Sequence, residues 1–433
     1  MTAAARQERP RYGWYGDDLT GASDTLATWA ERGYRALLFL REPTAAQLAA
    51  AGPLDVIGLA GATRSMSPAA AAAELDRAGR WLAALGVQLL HYKCCSTFDS
   101  ALHVGSIGAA VTALRRHFPN AFVPIVGGQP NLGRYCLFGT LFAAARSGGV
   151  VHRIDRHPTM SIHPVTPMRE ADLRRHLAAQ GLERIELIDY RSYETVQVDG
   201  ILDACLQSRP DAVLLDVARE SDLQIIGHLI EDRLSNGPML AVGPSSVAQA
   251  LAAAGAGRTD AVGVSRPRRR DGAVLALVGS LSPVTRAQVD AASSYHRIDL
   301  DPARLVADPG YGQQICQRAL AHLASGHVML VTDAAREERT RMNHVAVGTG
   351  QLLRAVLSET RVARLVVAGG DTSGHAVAAL DIWGLSYWSS FVPGAPLCRV
   401  HSDTPGLDGL GIILKGGQMG PVDVFDEAAS CSE

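Results

Sequence analysis

Short apolar runs rich in Val, Ile, Leu and Ala recur along the chain, separated by Ala-rich stretches in which apolar positions repeat at helical spacing. In the first half the runs are Tyr12–Tyr15, Ala36–Leu40, Val56–Ala60, Val87–His91 and Phe122–Val126. Helices are predicted over Thr20–Arg32 and Pro68–Leu85. From Gly127 to Pro167, Gly, Pro, His and Arg break the pattern, so a lid or substrate wall is expected there. Runs resume at Ile185–Ile188, Ala212–Asp216 and Met239–Ser246. Residues 253–271, rich in Ala, Gly, Arg and Pro, read as a linker, and a second series follows at Ala273–Val278, Val328–Thr332, Leu365–Ala368 and Gly411–Leu414. Strands that alternate with helices predict parallel sheets covered on both faces. The expected fold class is therefore α/β, with two doubly wound domains at residues 1–252 and 272–433 whose sheets are mostly parallel.

Open sheets of this kind bind ligands at the carboxyl ends of their strands, so the residues just after each run matter most. The first run opens into Gly16-Asp17-Asp18-Leu19-Thr20-Gly21, an acidic pair immediately before a helix. Those carboxylates could accept hydrogen bonds from a polyol or hold Mg2+, although a capping Asp beside a surface Asp explains the same residues. The Val56 run leads to Thr63-Arg64-Ser65, and the Val87 run to Lys93-Cys94-Cys95-Ser96-Thr97-Phe98-Asp99-Ser100. Arg64 beside Lys93 would make a carboxylate pocket, the guanidinium gripping both oxygens. The hydroxyls after Lys93 suit a polyhydroxylated ligand. Cys94 and Cys95 are adjacent, which strains a mutual disulfide, and no His is placed to activate either thiol.

The second half has a corresponding stretch, Arg364 to His375. A β-branched run enters the Gly369-Gly370 turn, Asp371-Thr372-Ser373 follows, and good helix formers come next. Glycines let backbone N–H groups approach a phosphate, and a new helix adds unpaired donors. Asp371 could hold Mg2+ or accept a proton, while Thr372 and Ser373 could bond phosphate oxygens or merely cap the helix. Ser280, in Gly279-Ser280-Leu281-Ser282-Pro283, and Lys415-Gly416-Gly417 also follow apolar runs. Of the 41 Lys and Arg residues only two, Lys93 and Lys415, are lysines. Both stand where an apolar run meets a turn. A compact charge on a flexible stem is kept where a planar fork cannot serve, so both read as site residues.

Composition narrows the classes. At 433 residues two domains are expected, and 47% hydrophobic with 19% charged residues describes a soluble protein with a large core. A formal charge of −2 argues against a nucleic-acid partner, and the cluster Arg266–Arg270 falls in the linker. Seven cysteines without a Cys-x-x-Cys pair, no apolar segment of membrane-spanning length and no signal-peptide core in Met1–Pro10 lead to an expected cytoplasmic location. No His-Glu-x-x-His spacing supports zinc.

Taken in order, Gly16 to Ala22, Thr63 to Ser65, Lys93 to Ser100, Gly279 to Pro283, Gly369 to Ser373 and Lys415 to Gly420 resemble the motifs of the four-carbon acid sugar kinase family. The resemblance covers nearly the whole chain. It implies phosphorylation of a terminal hydroxyl of a tetronate-type acid by ATP with Mg2+, in carbohydrate metabolism, with the active site in the cleft between a sugar-acid domain and a nucleotide domain. It puts Asp17, Asp18, Arg64, Lys93, Cys94, Cys95 and Ser96 on substrate positions, and Ser280, Gly369, Gly370, Asp371, Thr372, Ser373, Lys415, Gly416 and Gly417 on ATP positions. Asp371 and Asp18 are the expected catalytic carboxylates. Lys-x-Cys-Ser-Thr-Phe-Asp-Ser at Lys93 to Ser100 is similar to the 3-oxo-tetronate kinases rather than the threonate and erythronate kinases. Gly127-Gly128-Gln129-Pro130, Gly416, Gln418 and Met419 depart from the family pattern. The chain has no Gly-x4-Gly-Lys-Ser/Thr loop, so a P-loop kinase is excluded.

Two other classes fit part of the sequence. An aldolase or lyase would use Lys93 as a Schiff-base amine, and a non-catalytic acid-sugar sensor would leave the second Gly-rich domain without a use. The partners expected are small molecules only, a sugar acid and ATP, with no membrane and with a homodimer admitted but not required.

Overall fold

The computed structural model describes residues 9–145, 148–255, 272–279, 282–332, 342–369, 374 and 376–430. It consists of two compact units, residues 1–262 and 263–433. Ser280, Gly370, Asp371, Thr372 and Ser373, and most of the expected linker, lie outside the described residues.

The first unit is built on eight parallel strands. They are β1 (Tyr12–Gly16), β2 (Ala36–Phe39), β3 (Val56–Ala60), β4 (Leu89–Lys93), β5 (Pro124–Gln129), β9 (Ile185–Ile188), β10 (Ala212–Asp216) and β11 (Met239–Gly243). In space they run β2-β3-β1-β4-β11-β5-β10-β9. The chain first builds to one side of β1 and then crosses to the other with β4, which makes β1/β4 the point where strand order reverses. Loops leaving the carboxyl ends of β1 and β4 part there and leave a crevice. Strands β1, β4 and β11 are buried throughout, as expected of a sheet covered on both faces.

The expectation of a loop from Gly127 to Pro167 is corrected in part. Three short strands, β6 (Arg134–Leu137), β7 (Thr140–Ala144) and β8 (Val151–Arg153), continue antiparallel from β5. Their alternation is hidden in the sequence because Gly127, Gly128, Gly133 and Gly139 interrupt it and β8 is mostly exposed.

In the second unit β12 (Val274–Val278), β13 (Tyr295–Leu300), β14 (His327–Thr332), β15 (Arg364–Ala368) and β18 (Gly411–Lys415) form a parallel sheet, extended by an antiparallel hairpin of β16 (Gly384–Val392) and β17 (Ala395–His401). The order is β13-β14-β12-β15-β18-β17-β16. Val274, Ala276, Met329, Val366 and Ile413 belong to one buried cluster that also takes in Phe425 from the helix Val424–Ser430. Among the described residues no helix is long and apolar enough to cross a membrane.

Candidate functional site

Beyond the strands of the first unit, the hydrogen-bond ladder continues for one more step. Asp17 N donates to Lys93 O (2.9 Å), Gly61 N to Gly16 O (2.9 Å), Arg64 N to Asp17 O (3.2 Å) and Cys94 N to Gly243 O (3.1 Å). These bonds pin the first residues past β1, β3 and β4, and the last residue of β11, at one edge, so residues far apart in sequence become neighbours.

Asp18 caps the helix Leu19–Glu31: its Oδ1 accepts from Gly21 N at 2.7 Å, and its Oδ2 from Thr20 Oγ1 at 3.1 Å and from Arg64 Nη1 at 2.8 Å. Burial alone would raise this carboxyl, but Arg64, Lys93 and the Gly21 N–H outweigh it and hold Asp18 below the ordinary range. Asp17 is not the surface residue that the capping explanation required. It is 5% exposed, and its Oδ1 is buried without a hydrogen-bond partner. Burial, opposed by Arg64, pushes it up to about 6. Of the pair, Asp17 is thus the carboxylate poised to take a proton near neutral pH, whereas both oxygens of Asp18, the expected catalytic residue, are committed.

Lys93 is 4% exposed and donates to Cys94 O at 2.9 Å. A Cβ on Gly21 would fall 2.3 Å from Lys93 Nζ and 2.6 Å from Asp18 Oδ1, so only glycine lets the ammonium lie over the first helical turn. Burial opposes the charge, yet Asp18 and Asp17 raise the Lys93 pKa above its usual value. Arg64 meets three carboxylates: Asp18 at 2.8 Å, Asp99 at 3.5 Å and Asp17 at 3.7 Å. Among the described residues only Asp18 accepts a hydrogen bond from it, and Nε is buried without a hydrogen-bond partner, so the substrate carboxylate expected at Arg64 would be met on that edge. A fourth carboxylate would have to approach through the field of three.

Ser96 is buried beside these groups, the buried Cys94 thiol is pushed well up by its surroundings, and Cys95 Sγ is 3.0 Å from Thr97 Oγ1. Sequence reasoning quoted Asp99 but gave it no role. Phe98 adopts φ 52°, and the reversed backbone brings Asp99 back toward Arg64, where it also accepts from Thr97 Oγ1 at 2.6 Å. Asp24, Gln129 and Ser245 were missed. Gln129 Nε2 donates to Asp24 Oδ2 at 3.1 Å, Ser245 Oγ donates to the same oxygen, and Thr25 Oγ1 lies 3.0 Å from Ser245 Oγ. Their signal was positional, since Gln129 ends β5 and Ser245 follows β11 at the same sheet edge.

The second unit arranges its edge differently. Strands β12, β15 and β18 are neighbours, and Gly279 N donates to Ala368 O (3.0 Å) and Gly369 N to Lys415 O (2.8 Å), so the turns at Gly279, Gly369 and Gly416 start side by side. Gly369 has φ 125°, which a side chain would strain. Lys415 is fully buried and points back into its own turn: Nζ donates to Gly416 O (3.0 Å), Met419 O (3.2 Å) and Thr285 Oγ1 (3.2 Å). With three protons on three neutral acceptors it braces its own turn, and burial lowers its pKa to about 8. From the helix Pro283–Ala291, Thr285 bonds Gly417 O, and Gln288 bonds the carbonyls of Met419, Gly420 and Pro421. In a trans peptide C=O and N–H point in opposite directions. Carbonyls of Gly416, Gly417 and Met419 drawn inward therefore turn the N–H groups of Gly417, Gln418 and Gly420 the other way, the layout of an anion cradle.

Residues 12–251 match a sugar-binding N-terminal domain and residues 275–425 a nucleotide-binding C-terminal domain. The chain is 38% identical to the 3-oxo-isoapionate kinase of Paraburkholderia graminis, with 95% of this chain and 92% of that protein covered. It is 34% identical to the 3-oxo-tetronate kinase of Methylobacterium radiotolerans, with 96% and 98% covered. A solved structure from Salmonella typhimurium LT2, provisionally described as a tRNA synthase, superposes with a TM-score of 0.76 at 26% identity, covering 97% of this chain and 98% of that one. Tandem domain matches and relatives aligned over nearly their full length give one answer: the chain belongs to the four-carbon acid sugar kinase family.

Proposed function

We propose that the chain is an ATP-dependent kinase that phosphorylates the terminal hydroxyl of a four-carbon 3-oxo sugar acid, with the acid at the carboxyl edge of the first sheet and the nucleotide at that of the second. The observation that carries this reading is the state of Lys93. Carboxylates at Asp17 and Asp18 keep its ammonium charged, the opposite of what a Schiff-base amine needs, which favours a kinase over an aldolase. The 3-oxo class is supported by relatives named for two different 3-oxo acids and by the Lys-x-Cys-Ser-Thr-Phe-Asp-Ser motif. Threonate and erythronate are the competing acids.

In the reaction the substrate hydroxyl oxygen bonds to the γ-phosphorus as the bond to the ADP oxygen breaks, and the hydroxyl proton must be taken up. Asp17 is the base on this reading, with a free oxygen and a pKa near 6. Lys93 and Arg64 hold the acidic cluster together and fix Asp17 against β4 and β3. The N–H groups of Gly417, Gln418 and Gly420 offer donors to phosphate oxygens. Asp371 is the residue we assign to hold Mg2+, which would neutralise phosphate charge.

Coupled ADP release across 3-oxo-tetronate, a branched 3-oxo acid, threonate and erythronate tests the proposal. Turnover is expected to be fastest with a 3-oxo acid and to fall roughly 10²-fold in Asp371→Asn. Absence of ADP with every acid, together with borohydride trapping of a keto acid on Lys93, would replace the kinase by the aldolase.

A further inference from the structure

Arg64 can meet a substrate carboxylate only in the company of three aspartates, which leaves a place for a guanidinium that faces none. We propose that Arg134 receives it. The inference rests on the sugar-acid reading above and adds the group that distinguishes an acid from a neutral sugar.

Arg134 opens β6 directly opposite Gln129 of β5. Residues opposed across an antiparallel ladder project from the same face, and the Gln129 side chain reaches Asp24 in the helix that Asp18 caps. Arg134 therefore lies on the face that looks toward the site. It is 8% exposed, and among the described residues no carboxylate pairs with it. Its hydrogen bond, from Nη1, goes to the neighbouring Leu132 carbonyl. Nε is buried without a partner, and the Nε–Nη2 edge is the one that grips a carboxylate through two parallel bonds. A buried guanidinium without an anion is costly to maintain, and an arriving carboxylate removes that cost.

The two arginines thus divide the work. Arg64 neutralises protein carboxylates, while Arg134 is kept free of them. The stretch that the sequence reading took as a substrate wall supplies the anion contact.

The test compares an acid with its neutral counterpart. Initial rates with freshly prepared 3-oxo-tetronate, and with the ketotetrose in which CH2OH replaces the carboxylate, are measured for wild type, Arg134→Gln and Arg134→Lys, and binding of 3-oxo-tetronate, erythronate and threonate is measured by calorimetry without nucleotide. Arg134→Gln is expected to lower kcat/KM for the acid roughly 10²-fold while leaving the ketotetrose within about threefold, so that preference for the acid collapses. Arg134→Lys keeps the charge without the fork and should lose about tenfold on the acid alone. Equal losses on both substrates, or acid binding unchanged in both variants, would overturn the assignment and make Arg134 a structural residue of the β6 turn. Failure of the wild type to bind any of the three acids would remove the sugar-acid reading itself, and this proposal with it.

Discussion

The two lysines of this chain stand in matching places, each the last residue of a parallel strand before a turn, and the structure uses them in opposite ways. Lys93 ends β4 among Asp17, Asp18 and Asp24, which raise its pKa against the cost of burial. Lys415 ends β18 among neutral acceptors, and burial lowers its pKa to about 8. Among the described residues, the first sheet edge is built from charged side chains and the second from backbone groups that a buried lysine helps to orient. A rare residue in a repeated context marks importance but not role. Role is decided by whether the surrounding acceptors carry charge.

The largest effect should come from breaking the charged edge. Lys93→Met leaves the buried Asp17 and Asp18 with Arg64 as their remaining counter-ion, so we expect roughly 10²-fold or greater loss of turnover and about 3 kcal/mol of stability lost, read by coupled assay and denaturant melts. A loss below about 1 kcal/mol would mean that the cluster is far better solvated than its burial implies.

Asp17→Asn should separate activity from stability. Its carboxyl is raised from 3.8 to about 6 in the folded protein, so the folded state binds the proton more tightly and this group disfavours folding once pH exceeds about 6, by an amount on the order of 3 kcal/mol. The amide variant is expected to melt higher than wild type at pH 8, with the advantage gone near pH 4, while turnover falls roughly 10²-fold. In the wild type, kcat should drop as pH falls through about 6. A kcat profile flat between pH 5 and 7, at roughly one unit either side of that value, would demote Asp17 as base.

The smallest effect is expected at the other lysine. Lys415 titrates below its unfolded value, so the wild-type protein gains stability as pH rises from about 8 toward 10.5, and Lys415→Met should lack that gain. The turn loses its brace, so KM for ATP is expected to rise about tenfold while KM for the sugar acid stays within about twofold. A variant that impaired the acid more than the nucleotide would dissolve the contrast between the edges.

Much of this was legible in the sequence because burial on both faces produces unbroken apolar runs, and β1, β3, β4, β10, β11, β12, β15 and β18 all begin or end within a residue or two of those runs. The edge strands of the first unit, β2 and β9, were legible too, but those of the second were not. In β13 the exposed His296, Arg297 and Asp299 interrupt the apolar pattern, and the β16–β17 hairpin carries no apolar block of the same kind. The residues of the first site could be gathered from strand ends alone. Their partners could not: that Arg64 meets Asp17, Asp18 and Asp99, and that among the described residues no carboxylate meets Arg134, depends on the φ of Phe98 and on the pairing of β6 with β5. That Lys415 reaches back into its own turn was not legible either, because a strand pattern gives no direction to a side chain at its last residue.

The central claim is that the first unit's charged edge reads the sugar acid and the second unit's backbone edge reads the nucleotide. Calorimetric titration of Lys93→Met and Lys415→Met, each with a sugar acid alone and with a non-hydrolysable ATP analogue alone, tests it most directly. The account predicts that Lys93→Met loses at least about tenfold in affinity for the acid and keeps the nucleotide within about twofold, with the reverse in Lys415→Met. Nucleotide affinity lost in Lys93→Met and retained in Lys415→Met would contradict it.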